Sequence, residues 1–198
     1  MLETRGWHSR GYLPHYDDGA SIQSITYRLA DSLPAAVVAK LEEQALGDDK
    51  RRAEIEHYLD AGHGCCILRR AECAGAVLEN WRHFDEMRYR LHAWVVMPNH
   101  VHVLIALVGA TALSDIVQSW KSFTAKVILP HCAPGAFARN HVWQPDYDDR
   151  FIRNERHYAA AVDYIHPNPV KAGLVARAED WLWSSARDWE RGRLARSS

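Results

Sequence analysis

The fold of this chain is decided by the stretch Met97-Pro98-Asn99-His100-Val101-His102-Val103-Leu104-Ile105. Its second half has the composition of a buried β-strand, interrupted by two histidines one residue apart. Successive side chains of a strand point to opposite faces of the sheet. His100 and His102 therefore share one face, and Val101 lies on the other. Two imidazoles at this spacing can bind one divalent cation. The alternative interpretation is a pair of surface histidines on a half-exposed strand.

The segments on both sides of this stretch place it in a hairpin. Residues 89–96 have the pattern of a strand, and Pro98-Asn99 is so short a connection that the two strands must be antiparallel. An alternating run at 22–29 predicts an earlier strand, and the aromatic and charged run 142–153 contains a short later one. Apolar residues at helical spacing predict helices over 34–46, 48–59, 70–84, 113–128 and 155–166, whereas 65–68 has the pattern of a short extended piece.

The order strand, helix, strand, strand, helix, strand predicts an α+β fold. It is the ferredoxin-like (split βαβ) arrangement, an antiparallel sheet with helices mainly on one face. The other face would stay free for a site, with the two histidines facing outward from a central strand. We expect a single domain over 1–198, with an irregular N-terminal arm at 1–20, a core at 21–175 and a C-terminal helical extension at 176–198.

Composition excludes some classes of protein and leaves others open. Among the 198 residues, 24 are basic and 25 acidic, so the net charge of −1 gives no global argument for nucleic-acid binding. The four cysteines form no C-x-x-C pair, which indicates reduced thiols in a cytoplasmic protein. No secretory signal and no apolar run of membrane-spanning length is recognisable in the sequence, so we expect no membrane association.

A second polar stretch, Tyr164-Ile165-His166-Pro167-Asn168-Pro169, ends the last of the predicted core helices. Tyr164 lies outside the apolar stripe of that helix, which consists of Tyr158, Ala161, Val162 and Ile165. In a continuous helix Tyr164 and Asn168 would share a face, but Pro167 interrupts it. A surface tyrosine followed by a helix-stopping turn is the alternative.

Together the two stretches resemble the REP-associated tyrosine transposases, which belong with the single-tyrosine His-hydrophobic-His transposases of small bacterial insertion sequences. The matching segments extend over most of the chain. They are residues 96–102, 142–144, 150–153, 164–175 and 180–185, and residues 11–15 and 23–29 are similar to one branch of the family.

The resemblance implies a transposase-like enzyme, a metal-dependent endonuclease and strand transferase for single-stranded DNA. Its substrate would be hairpin DNA, the repetitive extragenic palindrome. Tyr164 would attack a phosphodiester, forming a 5′-phosphotyrosine and freeing a 3′-hydroxyl, and the covalent step would conserve bond energy for rejoining. His100, His102 and Asn168 would ligate the metal. This mixed nitrogen and oxygen set with open positions suits Mn²⁺ or Mg²⁺.

DNA contacts are expected from basic and aromatic side chains near the two motifs, although a solvated charge or a packed aromatic ring is the alternative for each. The candidates are Lys121, Lys126, Trp143, Arg150, Arg153, His166 and Lys171. The long helix with the two lysines would flank the site, and the protein would act as a monomer or a homodimer. A non-catalytic regulatory protein that binds hairpin DNA is the alternative function. An unrelated metallohydrolase with a metal-bound water is a third.

Overall fold

The computed structural model describes residues 7–9, 14–16, 22–43 and 47–190. The strands are β1 (Trp7–Ser9), β2 (Pro14–Tyr16), β3 (Ile22–Arg28), β4 (Tyr89–Val96), β5 (His100–Leu107) and β6 (Asp148–Ile152). The helices are α1 (Ala35–Glu43), α2 (Asp48–Asp60), α3 (Ala71–His83), α4 (Leu113–Ile128), α5 (Glu155–Ile165) and α6 (Asn168–Lys171). Short 3₁₀ turns lie at Ile67–Arg69, Leu129–His131, Ala138–Asn140 and Ala178–Asp180.

The four longer strands form one sheet in the order β4-β5-β3-β6, and all neighbouring strands in it are antiparallel. Helices α1 to α3 connect β3 to β4, a tight hairpin connects β4 to β5, and α4 connects β5 to β6. This order and these directions are those of a split βαβ arrangement. The predicted α+β, ferredoxin-like class is confirmed, and both histidines lie on the interior strand β5.

Asn99 fixes the hairpin between β4 and β5. The turn closes with a hydrogen bond from the Met97 amide to the His100 carbonyl at 2.9 Å. The side-chain amide of Asn99 donates to the carbonyls of Leu59 and His63, at 3.2 and 3.0 Å. The C-terminal end of α2 is therefore tied to the turn that precedes the two histidines.

The main core lies on the face of β5 opposite the histidines. Val101 and Val103 contribute to it together with residues of α3 and α4, including the fully buried Trp81 and Trp120. Each indole N–H has a partner: Trp81 donates to the Tyr27 hydroxyl at 3.1 Å, and Trp120 donates to the Tyr89 hydroxyl at 2.9 Å. Large aromatic side chains with satisfied polar atoms supply much of the burial that stabilises such a core.

The histidine-bearing face is not left bare. Val162 and Ile165 of α5 pack in a second core with Ala93, Val95 and Leu104. The C-terminal segment covers the outer edge of β4, where the Val96 amide donates to the carbonyl of Trp183 at 2.9 Å. The histidine pair therefore lies beneath α5, and the C-terminal segment packs along the neighbouring edge of the sheet.

Several local expectations differ from the structure. The piece at 65–68 is not extended, because the chain makes a 3₁₀ turn from Ile67 onward. The chain becomes helical again after Pro167, in α6, since proline is compatible with the first turn of a helix. The C-terminal extension is mostly irregular, and its helix begins only at 186 and is described to 190.

At the N-terminus, β1 and β2 pair as an antiparallel ribbon where an irregular arm was expected. The rest of the arm at 1–20, and residues 191–198 of the extension, lie outside the described residues. Within the described ranges, none of the helices combines the length and the hydrophobicity needed to cross a membrane.

Candidate active site

His100 and His102 form a pair of imidazoles whose ring centroids are 4.7 Å apart, and both side chains are buried. The Nδ1 atom of His100 lies 2.7 Å from Oδ1 of Asn99, and Nδ1 of His102 lies 2.7 Å from Oγ1 of Thr26. Because the Asn99 amide nitrogen donates elsewhere, its oxygen accepts here and the proton of His100 is on Nδ1. Both Nε2 atoms are buried without a hydrogen-bond partner. Metal-binding histidines commonly have one ring nitrogen held by such a hydrogen bond, so that the other nitrogen is oriented toward the ion.

Burial also sets the charge of these histidines. It lowers the pKa of His102 to about 4, although the Asp60 carboxylate opposes the shift. It holds the pKa of His100 well below its ordinary value, with the neighbouring His102 acting in the same direction. Both rings are therefore neutral near pH 7, which is the state in which imidazole binds a metal.

Glu56 of α2 completes a cluster that the sequence analysis missed. Its Oε2 atom is buried without a hydrogen-bond partner and lies 3.8 Å from Nε2 of His102. One potential ligand atom from each of Glu56, His100 and His102 lies within 4.8 Å of the others. No other group of three or more His, Cys, Asp or Glu side chains in the described part of the chain meets this condition. The donor set and the orphaned nitrogens fit a divalent cation.

Tyr164 lies over the same cluster. Helix α5 places its ring 5.3 Å from the His102 ring, and Tyr164 and Glu56 line the same cavity. Burial, and then the Glu56 charge and hydrogen bond, raise the pKa of Tyr164 above its ordinary value. By contrast, Tyr158 on the same helix is bonded to His92 at 3.0 Å. Tyr164 is thus the tyrosine that faces the histidine pair.

Asn168 and Lys171 approach the site from α6. Asn168 is buried, and its amide nitrogen donates to the carbonyl of Tyr164 at 2.9 Å. The side-chain oxygen is therefore the atom that Asn168 could offer to a metal. The Nζ atom of Lys171 lies 5.1 Å from the centre of the Tyr164 ring. The helix break at Pro167 does not separate Asn168 from Tyr164, because the hydrogen bond of the Asn168 side chain connects α6 to the end of α5.

A cavity of about 930 Å³ opens beside Tyr164, between α2, β6 and α5. It contains the acidic pair Glu56 and Asp60 near the histidines. Basic and imidazole side chains from all three elements line it as well; they are Arg52, His57, Arg150, Arg153 and His157. The structure therefore brings Arg150 and Arg153, both predicted from the sequence, to the cavity that contains the candidate nucleophile.

The expectation that the long helix flanks the site is wrong. Helix α4 packs against the face of β5 that carries Val101, so Lys121 and Lys126 lie on the opposite side of the sheet from the histidines. The Nζ atom of Lys121 donates to three backbone carbonyls at 2.9 to 3.1 Å, those of Gln144, Pro145 and Asp146. Burial lowers the pKa of this lysine to about 7. Its role is to hold the loop before β6.

Two of the aromatic candidates also have structural partners. Trp143 is buried in the main core, and its indole N–H donates to Oγ1 of Thr124 at 2.9 Å. Nε2 of His166 lies 2.8 Å from Oγ of Ser185, and the ring packs 5.7 Å from that of Trp189. Burial leaves the Trp143 ring unable to stack on a DNA base, which corrects that prediction, whereas His166 is half-buried and its DNA contact stays a prediction.

We expect Lys121→Met to lower the free energy of unfolding by about 2–3 kcal/mol, because three carbonyls lose a charged donor. Urea denaturation measures this change. Lys126→Met is the matched control, since Lys126 is exposed on the same helix, and it should change stability by less than about 0.5 kcal/mol. Weaker binding of hairpin DNA by Lys121→Met at unchanged stability would contradict the structural role.

Comparisons with known proteins agree with the two motifs. Residues 75–168 match a family model described as "Transposase IS200 like". A REP-associated tyrosine transposase of Escherichia coli is 35% identical over 105 residues, which are 52% of this chain and 59% of that protein. A second relative, from Haemophilus influenzae, is 27% identical over 96 residues, 46% of this chain and 54% of that protein. The chain thus spans little more than half the length of these relatives.

The fold has a counterpart among solved structures, that of a REP-associated tyrosine transposase bound to a REP hairpin. It aligns with a TM-score of 0.57 over 93% of this chain and 87% of that one, at 22% identity, which shows a common fold. The segment 75–168 contains both histidines, Tyr164 and Asn168, but not Glu56. The resemblance to the single-tyrosine transposases is therefore confirmed for this segment, which is similar to the IS200-like transposases.

Proposed function

We propose that this chain is a metal-dependent endonuclease and strand transferase that acts on single-stranded DNA with a hairpin of the REP type. The observation that carries the proposal is the position of Tyr164, whose ring lies against His102 and which lines the same cavity as Glu56. A nucleophile beside a pair of imidazoles with unused Nε2 atoms supports phosphodiester chemistry. The sequence and fold similarities support hairpin DNA as the substrate.

The metal would be held by His100, His102 and Asn168, with Mn²⁺ or Mg²⁺ as the ion that suits nitrogen and oxygen donors. When bound, it would act as a Lewis acid on the scissile phosphate. The structure supports the two histidines through their hydrogen bonds to Asn99 and Thr26. Asn168 is supported by its burial beside Tyr164.

Residues of the chain itself would carry out the nucleophilic attack and the proton transfer. The phenolic oxygen of Tyr164 would form a bond to phosphorus as the bond to the 3′-oxygen breaks, giving a 5′-phosphotyrosine. The proton of Tyr164 would pass to the Glu56 carboxylate in the same cavity, and the departing 3′-oxygen would take a proton from water. Attack of a new 3′-hydroxyl on the phosphotyrosine would reverse these steps and join the strand.

The basic side chains of the cavity would bind the substrate backbone. Arg150 and Arg153 are exposed beside Tyr164, and Lys171 lies over its ring. Three positive charges so close to the nucleophile would offset the repulsion between the phosphate and the acidic pair. Contacts of this kind set affinity and position, and they weaken as salt rises.

The test is to incubate the wild-type protein with hairpin oligonucleotides and Mn²⁺ and to separate the products under denaturing conditions. We expect a covalent protein–DNA adduct and a free 3′-hydroxyl, both lost when the metal is chelated. Hairpin binding without an adduct, unchanged in His100→Ala, would identify a non-catalytic binding protein. Absence of an adduct across several hairpin sequences and several metals would refute the proposal.

We expect Thr26→Val to reduce Mn²⁺ affinity by about 10- to 100-fold, because the near-isosteric change removes the hydroxyl that orients His102. Isothermal titration calorimetry without DNA measures the affinity. Ser24→Ala, on the same face of β3, is the control and should leave it within about twofold. Wild-type affinity in Thr26→Val would show that this hydrogen bond does not support a metal ligand.

A further inference from the structure

Glu56 lies between the histidine pair and the cavity that Tyr164 lines. Oε2 is buried without a hydrogen-bond partner at 3.8 Å from Nε2 of His102, and the carboxylate lines the same cavity as Tyr164. We propose that Glu56 is a further metal ligand that bridges the ion and the nucleophile, with Oε2 as the atom that it would offer to the metal. This inference rests on the proposed metal-dependent function and specifies its geometry.

Charge supports a carboxylate in this position. The two imidazoles and the amide of Asn168 are neutral ligands, so a divalent cation among them would have little compensation of its charge in a buried site. Mn²⁺ and Mg²⁺ also prefer oxygen donors. Asp60, one turn beyond Glu56, adds a second negative charge near His102 without belonging to the cluster of ligand distances.

The fold holds Glu56 in place from both sides. Four residues before it, Arg52 forms a largely buried ion pair with Asp148 of β6, at an N–O distance of 2.5 Å. Three residues after it, the carbonyl of Leu59 accepts the hydrogen bond from Asn99. Helix α2 is thereby attached to β6 and to the turn between β4 and β5, and its carboxylate is aimed at the histidines before any ligand arrives.

The bridge would set the distance between ion and nucleophile. Glu56 would help to hold the ion close to the Tyr164 side chain, and the ion would supply Lewis-acid activation of a phosphate there. Glu56 would therefore have two separable effects, one on metal affinity and one on the rate of adduct formation at full metal occupancy.

Calorimetric titration of the DNA-free protein with Mn²⁺ tests the first effect. We expect Glu56→Gln to weaken binding at least about tenfold, while Tyr164→Phe stays within about twofold of wild type. Glu54→Gln, the same change at an exposed position of α2 paired with Lys40, should have no effect. Asp60→Asn should cost clearly less than Glu56→Gln, since it removes charge but no ligand.

Wild-type affinity in Glu56→Gln, or an equal loss in Asp60→Asn, would overturn metal ligation by Glu56. A loss in Tyr164→Phe as large as that in Glu56→Gln would make the phenol itself the ligand and would overturn the bridge. Glu56→Asp, which keeps the charge and the donor type, should recover part of the affinity. Failure of the protein to form any DNA adduct would leave these DNA-free results unaffected, so the two proposals fail separately.

The second effect is measured with saturating Mn²⁺ and hairpin DNA. We expect Glu56→Gln to lower kcat for adduct formation at least about tenfold with little change in the KM for DNA, since the nucleophile loses the carboxylate that positions it and accepts its proton while the DNA contacts remain. Full recovery of kcat at saturating Mn²⁺ would show that Glu56 serves the metal alone and would overturn the positioning role.

Discussion

Tyr164→Phe is expected to reduce covalent adduct formation by at least about a thousandfold, because the substitution removes the one atom that would bond to phosphorus. The ring itself can stay, since its contact with His102 does not involve the hydroxyl. The measurement is the fraction of labelled hairpin DNA that migrates with the protein on a denaturing gel in the presence of Mn²⁺.

Tyr158→Phe is the matched control, because Tyr158 lies on the same helix and bonds to His92 outside the histidine pair. It should leave adduct formation within about threefold of wild type. If Tyr164→Phe cleaved DNA at the wild-type rate without an adduct, the nucleophile would be a metal-bound water and the protein would be a metallohydrolase.

His102→Ala is expected to weaken Mn²⁺ binding by more than about 100-fold and to abolish the adduct at ordinary metal concentrations. The buried Nε2 of His102 has no other partner, and it is the nitrogen closest to Glu56. Affinity for hairpin DNA should change only a few-fold, because the basic side chains of the cavity are intact. Calorimetry and a gel-shift assay separate the two effects.

His92→Ala serves as the control for this variant, since His92 is a partly buried histidine of the neighbouring strand that binds Tyr158. It should retain wild-type affinity for Mn²⁺, and thermal denaturation shows whether each variant is folded. A wild-type metal isotherm in folded His102→Ala would remove this histidine from the ligand set.

The sequence predicted the part of the fold that repeats locally. The alternation of side chains around His100 and His102 predicted the strand and its two faces. The apolar stripe with Val162 and Ile165 predicted the helix that carries Tyr164. It did not predict which face each helix would cover. That choice depends on the match between the bulky side chains of α4 and those on the face of Val101, which is a tertiary property.

Glu56 escaped prediction for a related reason. Its contact with His102 joins α2 to β5, and no local pattern connects the two segments. A signal was present nonetheless, since Arg52, Glu56 and Asp60 recur every fourth residue and so share one helix face. Such a stripe is usually solvated. Here Arg52 and Glu56 face the sheet, because the ion pair between Arg52 and Asp148 of β6 holds this side of α2 against it.

Asn99 limits how far the histidine pair can be treated as a transferable motif. The amide nitrogen of Asn99 binds two carbonyls at the C-terminal end of α2 and just beyond it. The amide oxygen of the same side chain fixes the tautomer of His100. Grafting only the two histidines onto another hairpin would transfer the donor atoms without the group that aims one of them. A designer who borrows this centre should take the asparagine, and a helix end for its amide to bind, as part of the same unit.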